Sequence, residues 1–390
     1  MSVTYDRAMR PRPNRLDRLP EQYFGALLAR VTAAAALTGE AIVDLGRGNP
    51  ETGPPRHVID TLADSANRPT AHGYAPFRGL PELRAAIAHR YATVYGVELD
   101  PDSEVAVVPG TKTAIVELSL VLAERGSTVV LPDPWYPDYP SGPALAGAAL
   151  ETVLLDPLVG WQPDFSSAPH ENVAALYLNY PSNPCAAVVR DGTFERAIEY
   201  ARETDAAVVH DFAYADLLFD GREPHSFLAT PGAKDFGVEM FSMSKSYGMA
   251  GWRLGFVLGK AEIVDRINLL NDHSRVGIFR PIQEAGIAAL TGPQDSVAER
   301  AATYERRRDR VLEVVDAVSE GTFYVWFKLP DGLTAEALLA EHRVVVAPGE
   351  GFGPSGAGWV RISLAVDDEQ IELGAERLQR AFAAVAGAAH

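Results

Sequence analysis

Ser242-Met-Ser-Lys-Ser-Tyr-Gly-Met-Ala-Gly-Trp-Arg253 is the stretch whose reading decides the fold. The apolar run Val238–Phe241 just before it predicts a buried strand, which delivers a lone lysine among small residues. A lysine placed there has little water to stabilise its charge, so its pKa falls and its amine becomes a usable nucleophile. Ser242 and Arg253 add a hydroxyl and a planar guanidinium, a pair suited to holding a phosphate. Taken alone, the segment favours that reading only modestly over a surface loop with a solvated lysine.

Its neighbours upstream narrow the choice. The run Ala206–His210 ends in Asp211, followed by Phe212-Ala-Tyr214. A carboxylate at the carboxyl end of a buried strand sits where open α/β sheets bind ligands, and a protonated pyridine nitrogen would be a fitting partner for it. The plain alternative is a helix N-cap. Asn179-Tyr-Pro-Ser-Asn-Pro184 follows another apolar run; its two X-Pro bonds restrict the backbone and can present Asn183 inward, or simply make a tight turn. Pro109-Gly-Thr-Lys112 joins a strand to a helix whose first N–H groups are free for an anion.

Around these motifs, short β-branched runs alternate with amphipathic stretches, the signature of an α/β protein. Strands are expected at Glu104–Val108, Thr128–Leu131, Leu150–Leu155, Ala174–Leu178, Ala206–His210, Val238–Phe241 and Leu254–Leu258. Most are apolar along their length, which predicts a largely parallel sheet covered on both faces. Helices are expected at Lys112–Glu124 and Phe194–Glu203. After Arg280 the pattern becomes α+β. A long helical region runs from about Pro281 to Val318, followed by strands Phe323–Leu329, Arg343–Val346 and Trp359–Ser363 and a closing helix near Gln370–Val385. The organisation predicted is a flexible leader at 1–20, a large domain at 51–280, and a small domain built from 21–50 and 281–390.

Composition excludes several classes of partner. A formal charge of −17 opposes binding to nucleic acid or an anionic membrane, and no basic run offsets it. No apolar run approaches a membrane span, and the first residues lack the apolar segment of a secretory signal. The single cysteine, Cys185, rules out an intrachain disulfide and is consistent with a reducing compartment; a small buried filler is its expected role. The expectation is a cytoplasmic protein with no metal, no nucleic acid and no membrane.

Together the four motifs, each at a strand's carboxyl end, resemble the class I and II aminotransferases of pyridoxal-phosphate fold type I. The likeness spans about Ile42 to the C-terminus. It leans toward the branch with alanine and LL-diaminopimelate aminotransferases on His210-Asp-Phe-Ala-Tyr-Ala-Asp216, Phe219-Asp-Gly221 and Ser244-Lys-Ser-Tyr-Gly-Met-Ala-Gly-Trp-Arg253. The resemblance implies an aspartate-aminotransferase-like α/β fold, with a mostly parallel seven-stranded sheet and a smaller α+β domain. It also implies pyridoxal 5'-phosphate as cofactor and a homodimer with shared active sites.

Residue by residue, the resemblance makes Lys245 the Schiff-base and proton-shuttling lysine and Asp211 the partner of the pyridine nitrogen. Tyr214 and Asn183 bond the phenolic oxygen, and Tyr136, in Asp133-Pro-Trp-Tyr-Pro-Asp-Tyr139, stacks on the ring. Thr111, Lys112, Ser242 and Arg253 surround the phosphate, Thr111 and Lys112 largely through backbone N–H groups, with Gly110 and Ser244 completing the cofactor-binding set. Tyr74, in His72-Gly-Tyr-Ala-Pro-Phe-Arg-Gly-Leu80, reaches the phosphate of a neighbouring subunit. Arg361, in Val360-Arg-Ile-Ser-Leu364, takes the substrate α-carboxylate with Asn183, while Arg47 and Gly48 line the side-chain pocket.

The implied activity moves the amino group of an L-α-amino acid to a 2-keto acid by ping-pong kinetics, with alanine, glutamate or aspartate as candidate donors. The same scaffold also supports lyase, decarboxylase or cyclase chemistry, because the electron sink belongs to the cofactor. A non-catalytic regulator is the rival from another class; retention of Lys245 and Asp211, and a fold that starts too early for an N-terminal helix-turn-helix, count against it. Arg47, Arg275 and Arg280 depart from the branch pattern. Each either meets an acidic or hydrogen-bonding substrate group or pairs with a surface acid.

Overall fold

The computed structural model describes residues 14–35 and 41–388. Of the expected leader, residues 1–13 lie outside these, and Asn14–Asp17 form a short helix.

In chain order the strands are β1 (Val43–Asp44), β2 (Val105–Val108), β3 (Thr128–Asp133), β4 (Ala149–Asp156), β5 (Gln162–Pro163), β6 (Val173–Asn179), β7 (Ala207–Asp211), β8 (Gly237–Ser242) and β9 (Gly255–Gly259). They continue with β10 (Tyr324–Lys328), β11 (Val344–Val345), β12 (Ala347–Pro348) and β13 (Trp359–Ser363). The main sheet runs β2-β9-β8-β7-β6-β3-β4-β5. All seven strands expected from the apolar runs are in it. β5 is an eighth, two residues long and antiparallel to β4. A Gln-Pro pair carries no strand signal of its own, since proline has no N–H to give to a ladder.

Pairing from β8 through β7, β6 and β3 to β4 is parallel, and β9 runs antiparallel to both β2 and β8. Every residue of β2, β8 and β9 is buried, as strands covered on both faces require. β4 departs from this: Ala149, Glu151 and Leu154 are exposed because only the two-residue β5 lies beyond it. Two apolar clusters hold the sheet's faces, one including Leu176, Leu178, Phe241 and Phe256, the other Val129, Tyr177, Val209 and Met240. Each fully buried Val, Leu, Phe or Met among them contributes about 1.5–3 kcal/mol.

A third cluster gathers the remaining strands. β10, β13 and β12 form an antiparallel sheet, β1 pairs with β11, and the helices Asp295–Leu312 and Asp368–Ala388 pack on them. The helical stretch expected from about Pro281 to Val318 is two helices, Arg280–Thr291 and Asp295–Leu312, interrupted at Gly292-Pro293. That dipeptide is a breaker the sequence displays openly. The first of the two packs on the helices Arg56–Ala66 and Pro81–Arg90, and gives Ala285, Ala289 and Leu290 to the main-sheet core. Its apolar face thus belongs with residues assigned from sequence to the large domain, not with the small one.

Candidate active site

The carboxyl ends of β6, β7 and β8 open into one cavity of about 450 Å³. Parallel pairing puts Asn179, Asp211 and Met240 on successive strands at the same level, so residues far apart in sequence become neighbours. Lys245 follows β8 inside the short helix Met243–Ser246, which Ser242 caps by accepting from the Ser244 N–H. Burial pushes the Lys245 ammonium down to about 8; the Arg361 and Arg253 charges add to the shift, and Asp211 opposes it. Its Nζ lies 5.1 Å from the Phe323 ring centroid and 5.8 Å from that of Tyr214.

Asp211 is buried, and desolvation raises its carboxyl above the usual range. Tyr139 Oη donates to Asp211 Oδ2 at 2.8 Å and the Ala213 N–H to Oδ1 at 3.2 Å, both favouring the charged form. The stretch after Asp211 is a series of turns rather than a helix, so the N-cap reading of this aspartate falls away.

Arg253 adopts the left-handed conformation at φ 58 and donates to the carbonyls of Ala250 (2.9 Å) and Pro109 (3.2 Å). Gly110, at φ 84, precedes the helix Thr111–Leu122 and lies against this guanidinium; a Cβ on it would sit 2.5 Å from Arg253 Nη2. The first N–H groups of that helix have no acceptor within it. Guanidinium, helix start and a glycine that keeps the space open make an anion cradle.

The opposite wall centres on Arg361, which is fully buried. Nη1 donates to Asn183 Oδ1 at 2.7 Å and Nη2 to the Gly46 carbonyl at 3.3 Å, while Nε has no partner. The guanidinium lies 3.8 Å from the Tyr324 ring centroid, 4.7 Å from Phe352 and 5.3 Å from Phe24. Asn183 is held in turn by its N–H to Asn179 Oδ1 at 2.7 Å, in a loop where both X-Pro bonds are cis.

Of the sequence-derived set, Lys245, Asp211, Tyr214, Asn183, Tyr136, Thr111, Lys112, Ser242, Ser244, Arg253, Arg47 and Gly48 all line the cavity. Gly110 and Arg361 adjoin it through the contacts above. Tyr74 does not come to this cavity: it is 86% exposed, in a segment with Phe77 that meets the segment of Val276 and Phe279 through His72–Phe279 and through Gly277 against Ala75 and Pro76. Tyr214 Oη donates to Tyr324 Oη at 3.3 Å.

Each unusual arginine has an acid beside it: Arg47 Nε donates to Asp44 Oδ2 at 2.6 Å, Arg275 lies 3.6 Å from Glu117, and Arg280 lies 3.5 Å from Glu284. Cys185 is fully buried, and desolvation pushes its thiol well up, so it packs rather than reacts. Among the described residues, no group of three or more His, Cys, Asp or Glu is placed to hold a metal ion.

Phe24, Asn49, Ile115, Asn179, Ala213, Ala250 and Tyr324 also line the cavity without a role assigned from sequence, and Tyr139, behind Asp211, had none either. Tyr139 had a signal, since it stands three residues after Tyr136 in the same quoted motif. Phe24 and Tyr324 had none, because only tertiary packing brings them near Lys245.

With this geometry in hand, comparison with known proteins is specific. The family described as aminotransferase class I and II matches residues 40–378. The L-glutamine–4-(methylsulfanyl)-2-oxobutanoate aminotransferase of Bacillus subtilis (strain 168) is 41% identical, over 93% of this chain and 94% of that protein. An LL-diaminopimelate aminotransferase of Moorella thermoacetica is 38% identical over 95% and 98%. Among solved structures, substrate-bound BacF from Bacillus subtilis superposes with a TM-score of 0.91 at 34% identity, covering 96% of this chain and 98% of that one.

Proposed function

The chain belongs to the aminotransferase class I and II family, and from that premise we propose that it transfers amino groups with pyridoxal 5'-phosphate bound in the cavity at Lys245. Amino transfer between an amino acid and a 2-keto acid is the activity of the family and of the relatives compared. The observation that carries the assignment of the cofactor is a single cavity that holds a buried Lys245 with its pKa pushed down, a buried Asp211 and the anion cradle at Arg253 and Gly110. An aldehyde, a pyridine nitrogen and a phosphate on one small ring match those three groups. When bound, the cofactor supplies an electron sink for the pair of electrons left at the substrate's Cα.

The protein's own residues do the rest. Arg253, Gly110 and the first N–H groups of the helix Thr111–Leu122 would hold the phosphate, aided by Ser242 and Ser244. Asp211, held by Tyr139, would keep a proton on the ring nitrogen. Tyr136 would pack on the ring, and Tyr214 and Asn183 would orient its oxygen. Arg361 and Asn183 would bind the α-carboxylate and so bring Cα within reach of Lys245, whose neutral amine would take the Cα proton. Arg47 and Gly48 border the substrate side chain, for which alanine, glutamate and aspartate are the sequence-derived candidates.

We further propose a cytoplasmic homodimer, in which the exposed patch of Tyr74, Phe77, Val276 and Phe279 meets a second copy and Tyr74 reaches its phosphate. The described helices include none long and apolar enough to cross a membrane. The small domain in this proposal begins near Asp295 rather than 281.

The test is a half-reaction. Cofactor-loaded protein mixed with an amino donor, and no acceptor, is expected to release about one keto acid per subunit and then stop. Continuous release of carbon dioxide or an eliminated group would instead favour the lyase or decarboxylase alternative.

A further inference from the structure

Five charged side chains line the cavity: Arg47, Lys112, Asp211, Lys245 and Arg253. Asp211, Lys245 and Arg253 are committed to the cofactor in the reading just given, and Arg361 to the α-carboxylate. Two cations remain for the substrate side chain, and both already carry a carboxylate. Arg47 Nε donates to Asp44 Oδ2 at 2.6 Å. Lys112 Nζ stands 2.8 Å from Asp138 Oδ2, an ionic contact rather than an aligned hydrogen bond.

The exposures are asymmetric in a telling way. The cations are half-exposed, with side chains at 56% and 53%, whereas Asp44 and Asp138 are at 15% and 12%. The acids are therefore the fixed members of each pair. Asp44 Oδ1 also accepts from the Gly46 N–H at 3.0 Å, and Asp138 Oδ1 from Gln22 Nε2 at 3.3 Å. A second carboxylate on the substrate must either sit beside these acids, or draw the cations away and leave two largely buried carboxylates without a counter-charge. Phe24, Ile115 and Tyr324 supply an apolar wall in the same cavity.

We propose that Asp44 and Asp138 are specificity-determining residues: by neutralising Arg47 and Lys112 they restrict the amino donor and keto acid to uncharged side chains, such as amide, thioether, aliphatic or aromatic. The inference rests on the transaminase reading of this cavity, and narrows the donors left open there by disfavouring glutamate and aspartate.

The test uses matched pairs that differ only in the distal group. With cofactor-loaded protein, kcat/KM is measured for glutamine against glutamate in the wild type, Asp138→Asn and Asp44→Asn. Calorimetry on the same proteins compares binding of 4-carbamoylbutanoate with that of glutarate, which reads affinity without turnover. The wild type is expected to favour the amide of each pair by about tenfold or more, and each substitution, by freeing a cation, to shrink that preference by about tenfold with glutamine turnover retained. A wild-type preference for glutamate or glutarate overturns the inference. So does an amide preference that neither substitution changes. Should one variant fail to fold, the other decides. Failure of every donor to give keto acid sinks the transaminase reading itself, a result distinct from a preference of the wrong sign.

Discussion

The two walls of the cavity are built on different plans. The cofactor wall hangs from adjacent ends of one sheet: Asn179 and Asp211 face each other across the β6–β7 ladder, and Lys245 follows the end of the next strand, β8. The substrate wall is collected from across the chain. Arg361 on β13 bonds Asn183 and the Gly46 carbonyl, Tyr324 comes from β10, and Phe24 from the helix Tyr23–Ala35. A wall set by backbone pairing keeps its geometry as side chains vary around it. A wall set by packing between distant segments can be retuned one residue at a time, which suits a surface that selects among substrates.

Substitutions on the two walls should therefore fail differently. The largest effect is expected for Lys245→Ala, a loss of more than about 10⁴-fold in kcat, since general acid–base catalysis alone supplies up to that factor. Borohydride treatment should fix cofactor to the wild type and not to the variant; attachment in the variant would refute the role of Lys245. Asp211→Asn should lower kcat by about 10²–10³-fold and weaken cofactor binding, measured by release on dialysis, because a preorganised charge at the ring is lost.

Arg361→Lys tests the other wall. It should lower kcat/KM by about ten- to a hundredfold while cofactor binding is unchanged, as a point charge replaces a planar two-point donor. If cofactor affinity fell equally, the division between the walls would not stand. Gly48→Ala is smaller in chemistry but sharp in geometry: its Cβ would lie 1.8 Å from Tyr324 Oη. The displaced ring should raise KM by about tenfold at a stability cost of about 1–3 kcal/mol, seen as a lower melting temperature.

The smallest effect is a pH midpoint. With Lys245 pushed down to about 8, its amine is protonated below that pH and free above it. Cofactor uptake by unloaded protein should rise through pH 8 and then level off. The same shift sets a sign on stability. Between about 8 and 10.5 the unfolded chain binds the proton that the folded one has released, so this group's contribution to stability rises with pH. Uptake that stays flat from about pH 7 to about pH 9 would mean the lysine keeps an ordinary pKa near 10.4.

The same contrast explains what could be read in advance. Seven of the eight main-sheet strands were legible because burial writes apolar runs, most of them unbroken, and Lys245, Asp211, Asn183 and Arg253 because each lies a few residues past such a run. Arg361 was legible as a charge inside an apolar strand. Phe24 and Tyr324 were not, since nothing local separates a wall aromatic from a core aromatic. The acids beside Arg47 and Lys112 were also hidden. Asp44 is three residues from its partner, yet Asp138 is twenty-six from Lys112, and only the fold reports that they meet. The helix Arg280–Thr291 was placed with the wrong core because helical periodicity gives a face and not its destination.

One rung of the main sheet has a consequence for how this protein can vary. Ser242 pairs directly with Gly255 across the antiparallel β8–β9 ladder, so the segment between them is a closed loop with clamped ends. Lys245 and Arg253 both lie in that loop, and its contour works as a ruler between the amine and the guanidinium. An inserted or deleted residue there has no slack at either end to absorb it, and would change the reach from ring to phosphate. Length polymorphism should therefore be absent from this loop, even where its individual side chains are free to change.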